Sequence, residues 1–175
     1  MPLFGPPNID RLVAKGDLAG LVEAVDHPKL WRVRRDAAVA LGEIGASESV
    51  EPLIGAVDDD NVSVRIAAIE ALGKIGSPVA VERLLTSLRS QAIEIRRAAA
   101  DSLGQIGDPR AVEPLIMRLK DTGWSVRRAA ANSLGRLHDP RALAPLRAAA
   151  DDPDSHVRTA AGAALKALEE PEALA

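Results

Sequence analysis

The sequence predicts an all-α protein: a right-handed α-solenoid of about five two-helix repeats, with an N-terminal capping helix. Three observations predict it. Residues 33–45 return at 64–76, 95–107, 126–138 and, in worn form, 157–169, each copy 31 residues after the last. A fixed period of this size marks a protein of stacked repeats. Between the copies a second apolar stripe recurs at helical spacing: Val50, Leu53, Ile54, Val57, then Val81, Leu84, Leu85, Leu88, then Val112, Leu115, Ile116, Leu119. Finally, 47% of residues are hydrophobic but only 2% aromatic, so the core must be aliphatic and alanine-rich, which suits closely approaching helices.

In chain order, residues 1–7 are rich in proline and glycine. Asn8 is placed to cap a short helix, Ile9 to Lys15, with Asp10 favourable in its first turn and Gly16 ending it. Asp17 caps a second helix, Leu18 to Val25, which His27-Pro28 terminates. The turns Ser77-Pro78, Asp108-Pro109 and Asp139-Pro140 each read as an N-cap followed by proline at the first helical position; Ala46-Ser47 lacks that pair. A second proline inside three shorter helices (Pro52, Pro114, Pro145) predicts a kink or irregular first turn. Short polar turns such as 58–61, 89–91, 121–123 and 151–154 join each shorter helix to the next longer one and make them antiparallel. The expected organisation is one domain over 1–175: a cap at 1–16, five hairpins over 17–168 and a polar tail at 169–175.

The pattern Val-Arg-Arg-x-Ala-Ala-x-x-Leu-Gly-x-Ile-Gly-Asp-Pro-Arg-Ala-Val-Glu-Pro-Leu, clearest over residues 95–115, resembles the HEAT-like repeats named for phycobilin lyases, and nearly the whole chain follows it. The resemblance specifies a fold far more sharply than a function. Such repeats occur in bilin lyases, in deoxyhypusine hydroxylase and in designed binding scaffolds, and the uneven copies here (Ala46-Ser47-Glu48-Ser49, His138) look more like natural drift than consensus design.

Constant and variable positions separate cleanly. In the longer helix, positions equivalent to Val33, Ala37, Ala38, Leu41 and Ile44 stay apolar at 3.6 periodicity and are expected in the core. Leu→Ala at Leu72 or Leu103 should therefore cost roughly 2–5 kcal/mol. The arginines Arg34, Arg65, Arg96, Arg127 and Arg158 form a ladder, one per repeat beside one acidic or polar turn per repeat. That suggests a structural role, pairing between repeats with aspartates or turn carbonyls. The glycines at 42, 73, 104 and 135 admit a close neighbouring helix at a propensity cost of ~1 kcal/mol each; they lack the spacing and the preceding strand of a nucleotide loop.

The variable stripe is where binding is expected. Its residues are Trp31, Arg32, Arg35, Val39, Val62, Ile66 and Glu70 in the first half, and Arg97, Asp101, Trp124, Arg128, Asn132 and Arg136 in the second. The resemblance implies that the longer helices line a concave surface, which would carry both tryptophans. Tryptophan and arginine are the residues most enriched at binding hot spots. A competing reading has Trp31 and Trp124 covering the helix start against the preceding turn.

Other chemistries are disfavoured. There are no cysteines, so disulfides and thiolate chemistry are excluded. The histidines His27, His138 and His156 lie far apart and none precedes a glutamate, which removes the His-Glu iron pairs that the resemblance to deoxyhypusine hydroxylase would require. No catalytic residues, metal or cofactor are expected. The formal net charge of −3 argues against a general nucleic-acid binder. Alkyl-base glycosylases on HEAT-like folds use Trp, Asp and Arg in a basic groove, and this chain lacks that positive surplus. No apolar run approaches the ~20 residues of a membrane span, and the start shows no signal-peptide pattern, so a cytoplasmic location is expected. The expected function is a non-enzymatic protein- or peptide-binding scaffold or adaptor using the concave face. The alternative is a bilin-lyase-like accessory or small-ligand binder.

Overall fold

A computed structural model describes residues 6–169, and the regular structure among them is entirely helical. Eleven α-helices follow one another: α1 Ile9–Lys15, α2 Leu18–Val25, α3 Trp31–Ile44, α4 Val50–Ala56, α5 Val62–Ile75, α6 Val81–Ser87, α7 Ile93–Ile106, α8 Val112–Arg118, α9 Trp124–Leu137, α10 Leu143–Ala149 and α11 Ser155–Glu169. The chain divides between Ala80 and Val81 into two compact units, the first holding α1–α5 and the second α6–α11. Among the described residues no helix is long and apolar enough to cross a membrane.

The boundaries follow from local chemistry. Asn8 accepts the Arg11 N–H at the start of α1, and Asp17 accepts the Gly20 N–H at the start of α2. Short 3₁₀ turns, Ser47–Ser49, Pro78–Ala80, Pro109–Ala111 and Pro140–Ala142, precede α4, α6, α8 and α10. The turn before α6 forms although Arg83 stands where the other shorter helices carry their second proline, so that proline is not what makes these turns. Pro52, Pro114 and Pro145 each stand third in an α-helix, within the first turn, where a missing N–H costs least. Gly45, Gly76 and Gly107 close α3, α5 and α7 in the left-handed conformation that glycine adopts without strain. His138 closes α9 at φ 50°, with its Nδ1 2.9 Å from the Arg136 carbonyl.

Within the first unit, α2 packs on α3, α4 on α5, and α3 lies alongside α5, while α1 covers α2 and α3. Leu21, Ala37, Ala38, Leu41, Leu53, Ala68, Ile69 and Leu72 are wholly buried there. The α3–α5 approach is so close that a Cβ on Gly42 would stand 2.7 Å from the Ala71 Cα. In the second unit α6–α7, α8–α9 and α10–α11 form hairpins, and α9 packs against both α7 and α11. Its core is Leu84, Leu103, Leu115, Leu134 and Leu146 with the alanines between them. A Cβ on Gly104 would stand 2.7 Å from the Ser133 Cα, and buried Ser133 donates to the Ala100 carbonyl at 2.8 Å. Alanine at either glycine forces backbones apart, an overpacking penalty of about 1–3 kcal/mol.

Two expectations need correction. Ile44 is 45% exposed and not core. It is the last residue of α3, where the chain leaves the helix through Gly45. The polar tail was expected from 169, yet Glu169 belongs to α11 and pairs with Arg147 at 2.9 Å; residues 170–175 of the expected tail lie outside the described residues.

Candidate binding surface on the long helices

The arginine ladder sits at the loop end of each long helix. In the first unit, Arg34 forks onto Asp59 at 2.6 and 2.8 Å, reaches Asp60 at 2.5 Å, and donates to the His27 carbonyl at 3.1 Å. Arg65 donates to the Asp59 carbonyl at 2.8 Å. In the second unit, Arg96 forks onto Asp121 with both bonds at 2.8 Å and donates to the Ser90 and Gln91 carbonyls. Arg127 forks onto Asp152 at 2.7 and 2.9 Å and donates to the Asp121 carbonyl. Arg158, exposed, donates to the Asp152 and Pro153 carbonyls. Each aspartate also accepts the N–H two residues on, at Asn61, Gly123 and Asp154. One carboxylate thus ties a loop to itself and to the helix of the preceding repeat.

These bonds set the ionisation of the aspartates. Burial pushes Asp59 and Asp121 upward, but the arginine forks and backbone N–H groups outweigh it and hold both below the usual carboxylate range. Asp152 is lowered chiefly by the Arg127 hydrogen bonds. Arg34, Arg96 and Arg127 are therefore committed to carboxylates, bidentate and nearly shut off from solvent, whereas Arg65 and Arg158 hold loop carbonyls.

The outer stripe of the first unit centres on half-buried Trp31. The guanidinium groups of Arg32 and Arg35 lie over its ring at 5.2 and 5.4 Å, within cation–π range. Arg35 also pairs with Asp36 at 2.6 Å, and Lys74 pairs with Glu43. Val39 and Val62 are 44% and 43% exposed, Ile66 is half-buried and Glu70 exposed. A shallow cavity of about 460 Å³ between α1 and α3 is lined by Arg32, Asp36 and Val39 with Ile9 and Val13 opposite.

In the second unit Trp124 is 44% exposed. Arg128 lies over its ring at 5.5 Å, and the His156 ring approaches it at 5.4 Å, tilted by 32°. Arg97 pairs with Asp101 at 3.2 Å. Burial raises the Asp101 carboxyl above its ordinary value, against the opposing pull of Arg97, Arg136 and Arg128. Asn132 is half-buried and Arg136 exposed in the last turn of α9. The Arg128 Nε is buried without a hydrogen-bond partner. Every stripe residue named from the sequence lies at least partly at the surface, and within each unit the tryptophan stands beside its arginines.

Sequence reasoning missed two things. His156 packs on Trp124 because α11 lies against α9, a contact that spacing along the chain does not show. A cavity of about 440 Å³ between the loops before α7 and α9 is lined by Arg89, Arg118, Lys120 and Met117; the available signal was Met117, 57% exposed where other copies carry Gly55, Thr86 and Ala148. Among the described residues no group of three or more His, Cys, Asp or Glu side chains is arranged to hold a metal ion.

Stacked antiparallel hairpins with loop clamps and a variable outer stripe define an α-solenoid. The chain belongs to the HEAT repeat family: the HEAT repeats model matches residues 18–93, 58–129 and 116–175. The complex of CpcE and CpcF of phycocyanin lyase from Nostoc sp. PCC7120 is similar at 26% identity over 98% of this chain and 70% of that one, with a TM-score of 0.81. A designed armadillo repeat protein in complex with the peptide (KR)4 aligns over 94% of this chain and 87% of its own at 21% identity and a TM-score of 0.66. Human deoxyhypusine hydroxylase aligns over 93% and 77% at 23% identity and a TM-score of 0.54. No curated protein matches the chain.

Proposed function

We propose that this HEAT repeat protein is a non-enzymatic scaffold that holds a protein or peptide segment along the outer stripe of its long helices. The observation that carries the reading is the exposure of Trp124, with Arg128 stacked on it, beside a core of constant Ala and Leu. Rigid aromatic and arginine side chains on a stiff helical frame supply contact area at low entropic cost. The peptide complex of the designed armadillo protein supports the reading as an example of what a fold of this class does. The test is affinity capture from the native cell extract with the unmodified protein and with a variant combining Trp31→Ala, Trp124→Ala and Arg128→Ala. The expected result is loss of captured partners with a thermal midpoint almost unchanged. Collapse of the fold would make these residues structural and remove the support.

A second reading rests on the likeness to the phycocyanin lyase complex: an accessory of the bilin-lyase type, or a small-ligand binder on the same surface. Co-expression with a bilin and its acceptor protein, followed by visible absorbance, separates the two. Absence of bound or transferred colour counts against the second reading.

A further inference from the structure

We infer that the outer face of α7, α9 and α11 in the second unit receives an acidic protein segment, with Arg128 and Arg136 taking carboxylates and Trp124 seating an apolar neighbour. This rests on the binding role proposed above and adds the chemistry of the partner.

Three observations within this unit lead there. Charge is the first. Among the described residues neither Arg128 nor Arg136 belongs to an ion pair, whereas Arg96 and Arg127 of the same unit are forked onto aspartates. Asp101 feels the charges of Arg128 and Arg136, and its ion-pair contact is with Arg97. Glu94, exposed at the start of α7, adds its charge to the field at Arg96. The second observation is an incomplete hydrogen-bond set. A guanidinium over an aromatic face is held in orientation and is more easily dehydrated than an ammonium. The Arg128 Nε is buried without a partner, so a carboxylate would be taken by the terminal NH groups of the same guanidinium. The third is room: α11 offers Thr159 and Ala163, both exposed and neither anionic, next to α9. A carboxylate-bearing side chain can lie there without meeting a like charge.

A phosphate backbone is the competing polyanion. The rigid fork and the single tryptophan fit separate carboxylates beside an apolar residue better than a continuous phosphate track, which needs several cations in line.

The experiment is fluorescence anisotropy on the full chain with a fluorescein-labelled (Glu-Leu)4 peptide, against a (Lys-Leu)4 peptide and a single-stranded DNA oligonucleotide. Expected is saturable binding of the glutamate peptide alone, weakened about tenfold or more in Arg128→Ala/Arg136→Ala and tightened in Asp101→Asn, which removes the internal competitor. Arg11→Ala, on α1 of the first unit and outside the stripe, leaves it unchanged, and circular dichroism reports whether each variant is folded. Binding of the lysine peptide or the oligonucleotide in preference, no binding of the glutamate peptide, or indifference to the double substitution overturns the inference. Because the capture experiment depends on Trp31 and Trp124 whatever the charge of the partner, it can succeed while this one fails.

Discussion

Arg34 and Arg96 occupy the same repeat position, one in each unit, and they are clamped differently. Arg34 has two carboxylates within reach, Asp59 and the exposed Asp60, so its charge is met twice. Arg96 depends on Asp121, whose side chain is 3% exposed and which also receives Arg118 at 3.3 Å. One carboxylate there answers two cations. The outer faces differ in the opposite sense. In the first unit Arg35 meets Asp36 and Lys74 meets Glu43, while in the second Arg128 and Arg136 are outside any ion pair among the described residues. The second unit therefore has two nearly buried clamps, Arg96–Asp121 and Arg127–Asp152, and leaves Arg128 and Arg136 of its outer stripe without a carboxylate. Repeats of one design can diverge this far because the stack depends on the apolar seam, and the charges are adjusted around it.

The largest expected effect separates the two clamps. Asp121→Ala leaves Arg96 and Arg118 without their carboxylate in a nearly dry site and should destabilise the protein by about 3 kcal/mol. Asp59→Ala leaves Asp60 beside Arg34 and should cost about 1.5 kcal/mol. Denaturant midpoints for both variants measure the difference, and equal costs would mean that Asp60 contributes nothing.

Acidification probes the same contrast. Asp59, Asp108, Asp121, Asp139 and Asp152 all ionise below their ordinary range in the folded protein. For a depressed carboxylate the stabilisation is complete above the unfolded value of about 4. It is then lost as pH falls toward the folded value, because the unfolded chain takes up protons first. Four of the five lie in the second unit, where Asp101, raised by burial, offsets part of the loss. Hydrogen exchange corrected for intrinsic rate should show α7 to α11 losing more protection than α2 to α5 as pH falls below about 4.

The smallest effect concerns the hinge residue of one turn. His138 holds the left-handed conformation that glycine holds at 45, 76 and 107. Replacing it, His138→Gly, relieves a strain of about 1 kcal/mol, partly offset by the greater freedom glycine gains on unfolding. A rise of about 1–2 °C in the midpoint is expected; no rise would mean that the Nδ1 contact with the Arg136 carbonyl already compensates.

Much of the fold was legible in the residues. The caps Asn8 and Asp17, the turn Asp108-Pro109 and the glycine stops place helix ends by local hydrogen bonding alone, and the spacing of Val50, Leu53 and Val57 marks a buried face. Ile44 misled because periodicity assigns a face and says nothing of exposure where the helix itself ends. The stripe was legible as a set of variable positions, but the stacking of two arginines on Trp31 and of His156 on Trp124 was not, since those contacts depend on side-chain direction and, for His156, on a helix one repeat away.

By itself the sequence determined the helices, their period, the alanine and leucine seam and the family, because each rests on local propensity or on a pattern repeated at fixed spacing. Only the tertiary structure decided which carboxylate each ladder arginine would take and whether another stood in reserve. It alone left the Arg128 Nε buried and unpartnered, since dehydration and pairing of a charge are settled by what the neighbouring repeat brings against it.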